Sequence, residues 1–202
     1  MRCRLALATD LPAVTDALAR AFVDDPMIRW VVGTDDPAEV VRCGAGGFFA
    51  PATRAGLRRG HTYLVADDGA VLGAAVWSPP DVDMFDDAAI EDLLDALGGL
   101  VGPEALERLG ALGELTGARH PHDRAHFYLL ALGATERGRG AGAAAMAPVL
   151  DRCDADGLPA YLESSNPRNL GFYGRLGFEP TWEAALPDGG PLLTGMWREP
   201  RG

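Results

Sequence analysis

Leu129-Leu-Ala-Leu-Gly-Ala-Thr-Glu-Arg-Gly-Arg-Gly-Ala-Gly-Ala-Ala-Ala145 reads as an apolar strand, a short polar turn, and glycines opening a helix of small residues. Glycines at 138, 140 and 142 let the backbone approach a ligand closely. A helix that starts there presents unpaired N–H groups and the positive end of its dipole to the same point. The matching ligand is a phosphate group.

Two kinds of phosphate loop fit this composition, and spacing separates them. Gly138-x-Gly140-x-x-Ala143 matches a dinucleotide fingerprint, and Glu163 falls about 20 residues on, where a ribose-binding carboxylate is expected. In that fold, however, the first glycine follows directly on the strand, whereas Gly133 to Arg137 intervene here after Leu132. A full series of alternating strands and helices is also missing around the loop. The other reading is Arg137-x-x-Gly140-x-Gly142, a basic residue and two glycines at the tip of a strand-turn-helix.

Downstream, Ala160-Tyr-Leu-Glu-Ser-Ser-Asn-Pro-Arg-Asn-Leu-Gly-Phe-Tyr-Gly-Arg-Leu-Gly-Phe178 reads as a short strand, an Asn-Pro helix start, a helix bearing Tyr173, and a Leu-Gly-Phe exit into another strand. The two segments together, in this order, resemble the GNAT superfamily of acyl-CoA N-acyltransferases. That resemblance implies an α+β, three-layer fold: a central mixed, mostly antiparallel sheet, splayed at the acetyl-CoA site and flanked by helices. One domain over residues 1–202 is expected, a length sufficient for one well-buried core.

Around these segments the hydrophobic pattern predicts a first strand over 2–8 and a helix from the Thr9-Asp10 cap to about Phe22. A second short helix runs from Pro26 through Trp30 to Val32, and a glycine-weakened helix spans 37–59. Two strands flank the turn Asp67-Asp68-Gly69, and residues 83–117 are helical in two or three pieces. His126 to Leu132 is the central strand, Arg139 to Asp156 the helix behind the loop, and Pro159 to Ser164 the next strand. Glu179 to Leu186 and Leu192 to Trp197 pair as the last two.

Composition narrows the function. A net charge of −11 speaks against nucleic acid, whose phosphates attract Lys/Arg patches. No apolar run approaches the roughly 20 residues of a membrane span, and the apolar stretch after Met1 is too short for a signal peptide. Cys3, Cys43 and Cys153 are odd in number and widely spaced, as reduced thiols are. A cytoplasmic protein, monomeric or homodimeric, acting on a small molecule and on neither nucleic acid nor membrane is the expectation.

The superfamily resemblance assigns roles to individual residues. Arg137, Gly138, Arg139, Gly140, Ala141 and Gly142 would bind the pyrophosphate of acetyl-CoA, the cosubstrate. Backbone groups of Leu130, Ala131 and Leu132 would bind pantetheine and polarise the thioester carbonyl, since preset donors to a developing oxyanion contribute on the order of 3 kcal/mol each. Asn166 or Asn169 would contact the cofactor; a helix cap is the competing role. Tyr173 is the candidate acid for the departing thiolate, because a thiol near pKa 8.5 and a tyrosine near 10 exchange a proton without a large shift. Packing of its ring with Phe172 and Phe178 is the alternative.

Glu163 stands where some relatives carry a catalytic glutamate, although its path to Tyr173 is about two residues shorter than theirs. Trp30, Trp77 and His126 are the candidate acceptor-pocket residues, with core packing as the alternative for the tryptophans. His120-Pro-His122 and His126 cluster in sequence, yet no Cys or carboxylate set completes a metal site, so no metal is expected.

Several stretches also resemble puromycin N-acetyltransferase and its actinobacterial relatives: Ala19-Arg-Ala-Phe-Val-Asp-Asp-Pro26, Ala75-Val-Trp-Ser-Pro79, Ala125-His-Phe-Tyr-Leu-Leu130 with the glycine loop, and Leu162 to Tyr173. This implies acetyl capping of a primary amine on a small, often toxic molecule such as an antibiotic. Residues 81–124 depart from the pattern, as does Gly133-Ala-Thr, which replaces an Asp/Ser-Pro turn. An acetyltransferase for protein N-termini or lysines and a non-catalytic acyl-CoA-binding module are the competing functions.

Overall fold

A computed structural model describes all 202 residues. The chain runs β1 (Arg2–Leu5), α1 (Leu11–Ala21), α2 (Pro26–Val32), α3 (Pro37–Cys43), a wide π turn (Gly44–Phe49), α4 (Ala50–Arg59), β2 (Thr62–Asp67) and β3 (Ala70–Ser78). Then follow α5 (Asp87–Gly98), α6 (Pro103–Arg119), β4 (Phe127–Ala134), α7 (Ala141–Asp156), β5 (Ala160–Ser164), α8 (Leu170–Arg175), β6 (Glu179–Ala185) and β7 (Leu192–Arg198). The seven strands form one sheet in the order β1-β2-β3-β4-β5-β7-β6. Only β4 and β5 run parallel; all other neighbours are antiparallel.

Local chemistry explains the helix boundaries. Asp25 caps α2 by accepting from the Met27 and Ile28 amides, with Pro26 at the first helical position, where its missing N–H costs nothing. Asp36 and Pro37 repeat the device at α3. The predicted 37–59 helix is helical throughout, but it widens into a π turn at the glycine-rich Gly44–Phe49 instead of breaking.

Two cores sandwich the sheet. On one face α7 buries Ala145, Met146 and Val149 against Phe127, Leu129, Leu162 and Trp77. On the other, α1 and the π turn set Val14, Leu18 and Phe49 against Leu64, Ala74, Val76 and Ala131. A third core joins α2, α5 and α6 to the β6–β7 hairpin through Val31, Leu93, Leu97, Leu109, Leu112, Leu186 and Leu193. Behind α7, Arg198 is 3% exposed and grips Asp154 with two bonds of 2.7 and 2.8 Å while donating from Nε to the Leu176 carbonyl.

The middle of the sheet is irregular in two ways. Trp77 is opposite Leu129 and Val76 opposite Ala131, so Leu130 is an extra residue, a β-bulge. A bulge shifts every later side chain to the other face. Phe127 and Leu129 therefore face α7 while Ala131 faces α1. Pairing between β4 and β5 covers only Phe127↔Ala160, Tyr128↔Tyr161 and Leu129↔Leu162. Beyond that point the two strands diverge, which is the expected splay.

The central strand is longer than its apolar run suggested. It continues through Gly133 to Ala134, and both the amide and the hydroxyl of Thr135 donate to the Leu72 carbonyl, at 2.9 and 3.2 Å. Gly133 is there for packing, since a Cβ would stand 2.8 Å from that of Ala21 and 3.0 Å from Leu18 Cδ2 on α1. The replaced turn thus ties the strand end to β3.

Candidate active site

Between Ala134 and α7 the chain passes through Gly138 at φ 82° and Gly140 at φ 79°. Neither position is crowded; the left-handed backbone is what calls for glycine. Gly140 is the residue before α7, and the first intrahelical bond near it is Ala144 N–H to Gly140 carbonyl at 3.0 Å. The amides of Ala141, Gly142 and Ala143 therefore have no helical acceptor, the condition an anion site at a helix start requires. Gly142 differs from its neighbours: its φ is ordinary, and an added Cβ would sit 3.5 Å from Phe172 Cζ.

The two arginines of the loop are not equivalent. Arg139 is engaged with Glu136 at 3.1 Å and with Asp67 at 3.7 Å. Arg137 is exposed and forms no such pair. Beside the loop, Leu130, Ala131 and Leu132 lie past the last β4–β5 pair, so their backbone on the β5 side is not used by the sheet.

Glu163 lies on β5, two residues beyond Tyr161 and on the same face. Its side chain is 8% exposed, and Oε1 accepts no hydrogen bond. Tyr128, the register partner of Tyr161, stacks on it at 6.0 Å. The His120 ring stands edge-on to both tyrosines, at 4.9 and 5.1 Å. Trp182 Nε1–H donates to the Tyr161 hydroxyl at 3.0 Å, and the Arg119 guanidinium lies over the Trp182 ring. Burial first, then the Glu163 charge and a hydrogen-bond interaction with that carboxylate, pushes both tyrosine hydroxyls well above their ordinary pKa. The result is a carboxylate at the bottom of a wall of aromatic rings.

His126 belongs to this cluster, with its Nδ1 2.8 Å from the Arg124 carbonyl and its Nε2 3.1 Å from His120 Nε2. His120, Tyr128, Tyr161 and Trp182 are the members that motif reading missed. No group of three or more His, Cys, Asp or Glu side chains is arranged to hold a metal ion.

Tyr173 is buried in the α7-side core beside Phe172 and Phe178, with ring centroids 5.2 and 6.0 Å away. Burial, reinforced by the Asp25 charge, raises its pKa above the usual tyrosine value, so it carries its proton throughout the neutral range. Asp25 is itself buried and receives a 2.7 Å hydrogen bond from Ser165 Oγ. Asn166 is buried and caps the following turn by accepting from the Arg168 amide at 3.1 Å. Asn169 is half-buried and its side chain caps nothing.

The two tryptophans differ in their surroundings. Trp77 is wholly buried under α7, with no hydrogen-bond partner for Nε1. The alternation of β3 points it away from the face that carries Glu163. Trp30 borders a polar cavity of about 410 Å³ with Glu104, Glu107, Arg108 and Asp188, and it packs against the third core, as Trp182 does. Core packing, the alternative for the tryptophans, describes Trp77, and the strand phase that decides it is not supplied by motif matching.

Solved structures with this architecture include a protein described as histone acetyltransferase HPA2 and related acetyltransferase from Corynebacterium glutamicum. It is 23% identical, with 99% of this chain and 96% of that one covered and a TM-score of 0.71. Arylalkylamine N-acetyltransferase 2 from Aedes aegypti is 14% identical over 99% of both chains, with a TM-score of 0.64. The polyamine N-acetyltransferase of Drosophila melanogaster, which forms N-acetylagmatine, is 16% identical over 98% and 99%, with a TM-score of 0.61. These likenesses concern the fold. Residues 25–178, which contain the bulged central strand, the glycine loop and the Tyr173 helix, match the acetyltransferase (GNAT) family, and the chain belongs to that family of acetyltransferases.

Proposed function

We propose that this acetyltransferase uses acetyl-CoA to acetylate a primary amine of a small molecule, by direct attack of the amine on the thioester. The observation that carries the reading is the Glu163 carboxylate, nearly buried, free at Oε1, and ringed by Tyr128, Tyr161, His120 and Trp182. A carboxylate and aromatic faces attract an ammonium group. Tyr128 on β4 and Tyr161 and Glu163 on β5 sit beside the β4–β5 divergence, with His120 packed on the two tyrosines.

In this mechanism the free amides of Ala141 and Gly142, the backbone at Gly138 and Gly140, and the Arg137 and Arg139 charges hold the pyrophosphate. Backbone groups of Leu130 to Leu132 orient the thioester and polarise its carbonyl. Asn169, whose side chain caps nothing, contacts the cofactor, while Asn166 shapes the turn that presents it. Glu163 receives the amine. As the C–N bond forms and the C–S bond breaks, Tyr173 protonates the leaving thiolate. The whole chain acts as one acetyltransferase domain.

The family resemblance of the segments around Asp25, Trp77 and the glycine loop supports an acceptor of the puromycin type. Agmatine and arylalkylamine acetylation by proteins of the same fold supports the wider class of small amines. Helices α5 and α6 enclose the acceptor side through the third core, which suits a small molecule better than a polypeptide.

The test is acetyl-CoA-dependent thiol release across a panel holding puromycin, agmatine, aryl-alkylamines, a lysine peptide and a peptide with a free N-terminus. A small amine should exceed both peptides in kcat/KM by at least about 100-fold, roughly 2.7 kcal/mol. Preference for a peptide would move the function to protein acetylation. Acetyl-CoA binding without turnover on any amine would leave a binding module.

A further inference from the structure

Four heteroatoms, in two hydrogen bonds, fix where the protons of the acceptor cluster are. The Arg124 carbonyl can only accept, so His126 Nδ1, 2.8 Å away, is the protonated nitrogen of that ring. Burial lowers the pKa of His126, the largest of several influences, and keeps the ring neutral. Its Nε2 is then an acceptor. His120 Nε2, 3.1 Å from it, must be the donor. In its neutral form His120 therefore has its bare nitrogen at Nδ1, 3.9 Å from Glu163 Oε1.

The arrangement places two proton-accepting atoms side by side with no proton between them. Glu163 Oε1 is buried without a partner. A gap of 3.9 Å is too long for a direct hydrogen bond, and a donor entering the cluster meets both atoms, with the Tyr128 and Tyr161 hydroxyls acting on the same carboxylate. Because His120 Nε2–H remains bound to His126, the ring can take a proton at Nδ1 without turning. The cation so formed sits against the Glu163 charge. His122 is exposed, with its ring 5.5 Å from that of His120, so the cluster opens to water on that side.

We propose that His120, held in the Nε2–H tautomer by His126, is the base that takes a proton from the bound ammonium at Nδ1, with Glu163 as its counter-charge. The inference rests on the small-amine reading above and assigns it a base. The proton balance is complete. One proton passes from R–NH3⁺ to His120 and on to solvent. The neutral nitrogen attacks the thioester carbonyl, the C–N bond forms and the C–S bond breaks. The second proton lost by the nitrogen leaves by His120, again neutral, to solvent, while Tyr173 gives its proton to the thiolate and regains one from solvent, so the net products are the amide, the thiol and one released proton.

The groups facing His120 make it the one suited to this step. Tyr128 and Tyr161 stay protonated because burial and the Glu163 charge raise their pKa values. Asp83 adds to that effect on Tyr128. Arg119 is turned onto Trp182, and Arg124 is paired with Glu199. His126 already spends both nitrogens, leaving His120 Nδ1 as the imidazole nitrogen open to substrate.

Two measurements test this. Nitrogen–proton correlation spectra of the histidine rings in the full-length protein should show His126 protonated at Nδ1 and neutral His120 protonated at Nε2. A proton on Nδ1 of neutral His120 overturns the proposal, whether or not an acceptor is known. With the best amine of the panel, H120Q should lose about 100-fold or more in kcat/KM at pH 7. Its rate should then climb about tenfold per pH unit toward the amine pKa, while the wild type holds a plateau. Acetyl-CoA affinity should not change, and imidazole should partly rescue H120A. Wild-type rates and an unaltered pH profile in H120Q would also overturn it. Absence of turnover in the wild type counts against the small-amine function instead, and leaves the tautomer measurement to decide the proton placement.

Discussion

Ser165 Oγ donates a 2.7 Å hydrogen bond to Asp25 Oδ2, joining the segment after β5 to the start of α2 across 140 positions of sequence. The other carboxylate oxygen accepts from the Met27 and Ile28 amides. One side chain thus caps a helix and fastens it to the far side of the β4–β5 opening. Asp25→Ala should cost about 2–3 kcal/mol, combining the lost cap with an orphaned buried hydroxyl. Ser165→Ala should cost about 1 kcal/mol. Urea unfolding of both variants and the double mutant checks this, with the double mutant less destabilised than the sum.

Burial also raises the Asp25 pKa, which fixes the sign of its pH effect. Its folded pKa lies above the unfolded value, so its stabilising contribution is greatest below the unfolded pKa and declines as pH rises through the folded one. Asp154 acts in the opposite sense. The Arg198 guanidinium holds its carboxyl below the ordinary range, so its contribution is present above the unfolded pKa and is lost as pH falls through the folded one. Asp154→Ala should destabilise by about 3 kcal/mol at pH 7, because the buried guanidinium loses its counter-charge. Denaturation at pH 7 and pH 3 should show the gap to wild type shrinking in acid.

The glycines of the loop divide by what they are for. Gly138→Ala and Gly140→Ala should each cost about 1–2 kcal/mol, since both sit at positive φ. Gly142→Ala has an ordinary φ and room beside Phe172, so it should keep stability or gain up to about 1 kcal/mol from helix propensity. If Gly142 admits phosphate, the same variant weakens acetyl-CoA binding. Thermal melts paired with calorimetric titration separate the two effects, and unchanged affinity would remove Gly142 from the cradle.

Tyr173→Phe should lower kcat by about 10²-fold while acetyl-CoA affinity holds. The raised pKa of Tyr173 means that no loss of its proton shapes the rate profile between pH 6 and 9. Stopped-flow thiol release over that range tests both statements. Full activity in the variant would leave the tyrosine a packing residue of the α7 core.

Much of the fold was legible because it rests on local signals. The Asp-Pro caps, the Asp68-Gly69 hairpin and the apolar run into Leu132 each announce themselves within a few residues. The bulge at Leu130 left no such trace. An extra residue in a strand is defined by its neighbour's register, and nothing in Leu-Leu-Ala-Leu distinguishes it. That register also decides which face a side chain takes, which is why Trp77, a plausible cleft residue by position, turned out to be core.

The acceptor cluster was only half visible for a related reason. Its members come from 119, 120, 126, 128, 161, 163 and 182 and meet through sheet order. Tyr161 and Glu163 share a face by simple alternation, a signal available in the sequence. That Tyr128 lies opposite Tyr161 depends on the single parallel pairing of the sheet.

The divergence of β4 from β5 has a consequence for solubility. A sheet of seven strands ordinarily has two borders, here β1 and β6. Because pairing stops at Leu129 and Leu162, this one has four, two of them inside the molecule. Inner borders offer the same unpaired backbone as outer ones and invite the same mispairing with a neighbouring chain. They are kept short, five residues on β4 and two on β5; the first runs into the polar glycine turn and the second into Ser165-Asn166-Pro167. Lengthening that opening would widen the reaction cleft at the cost of a stickier protein.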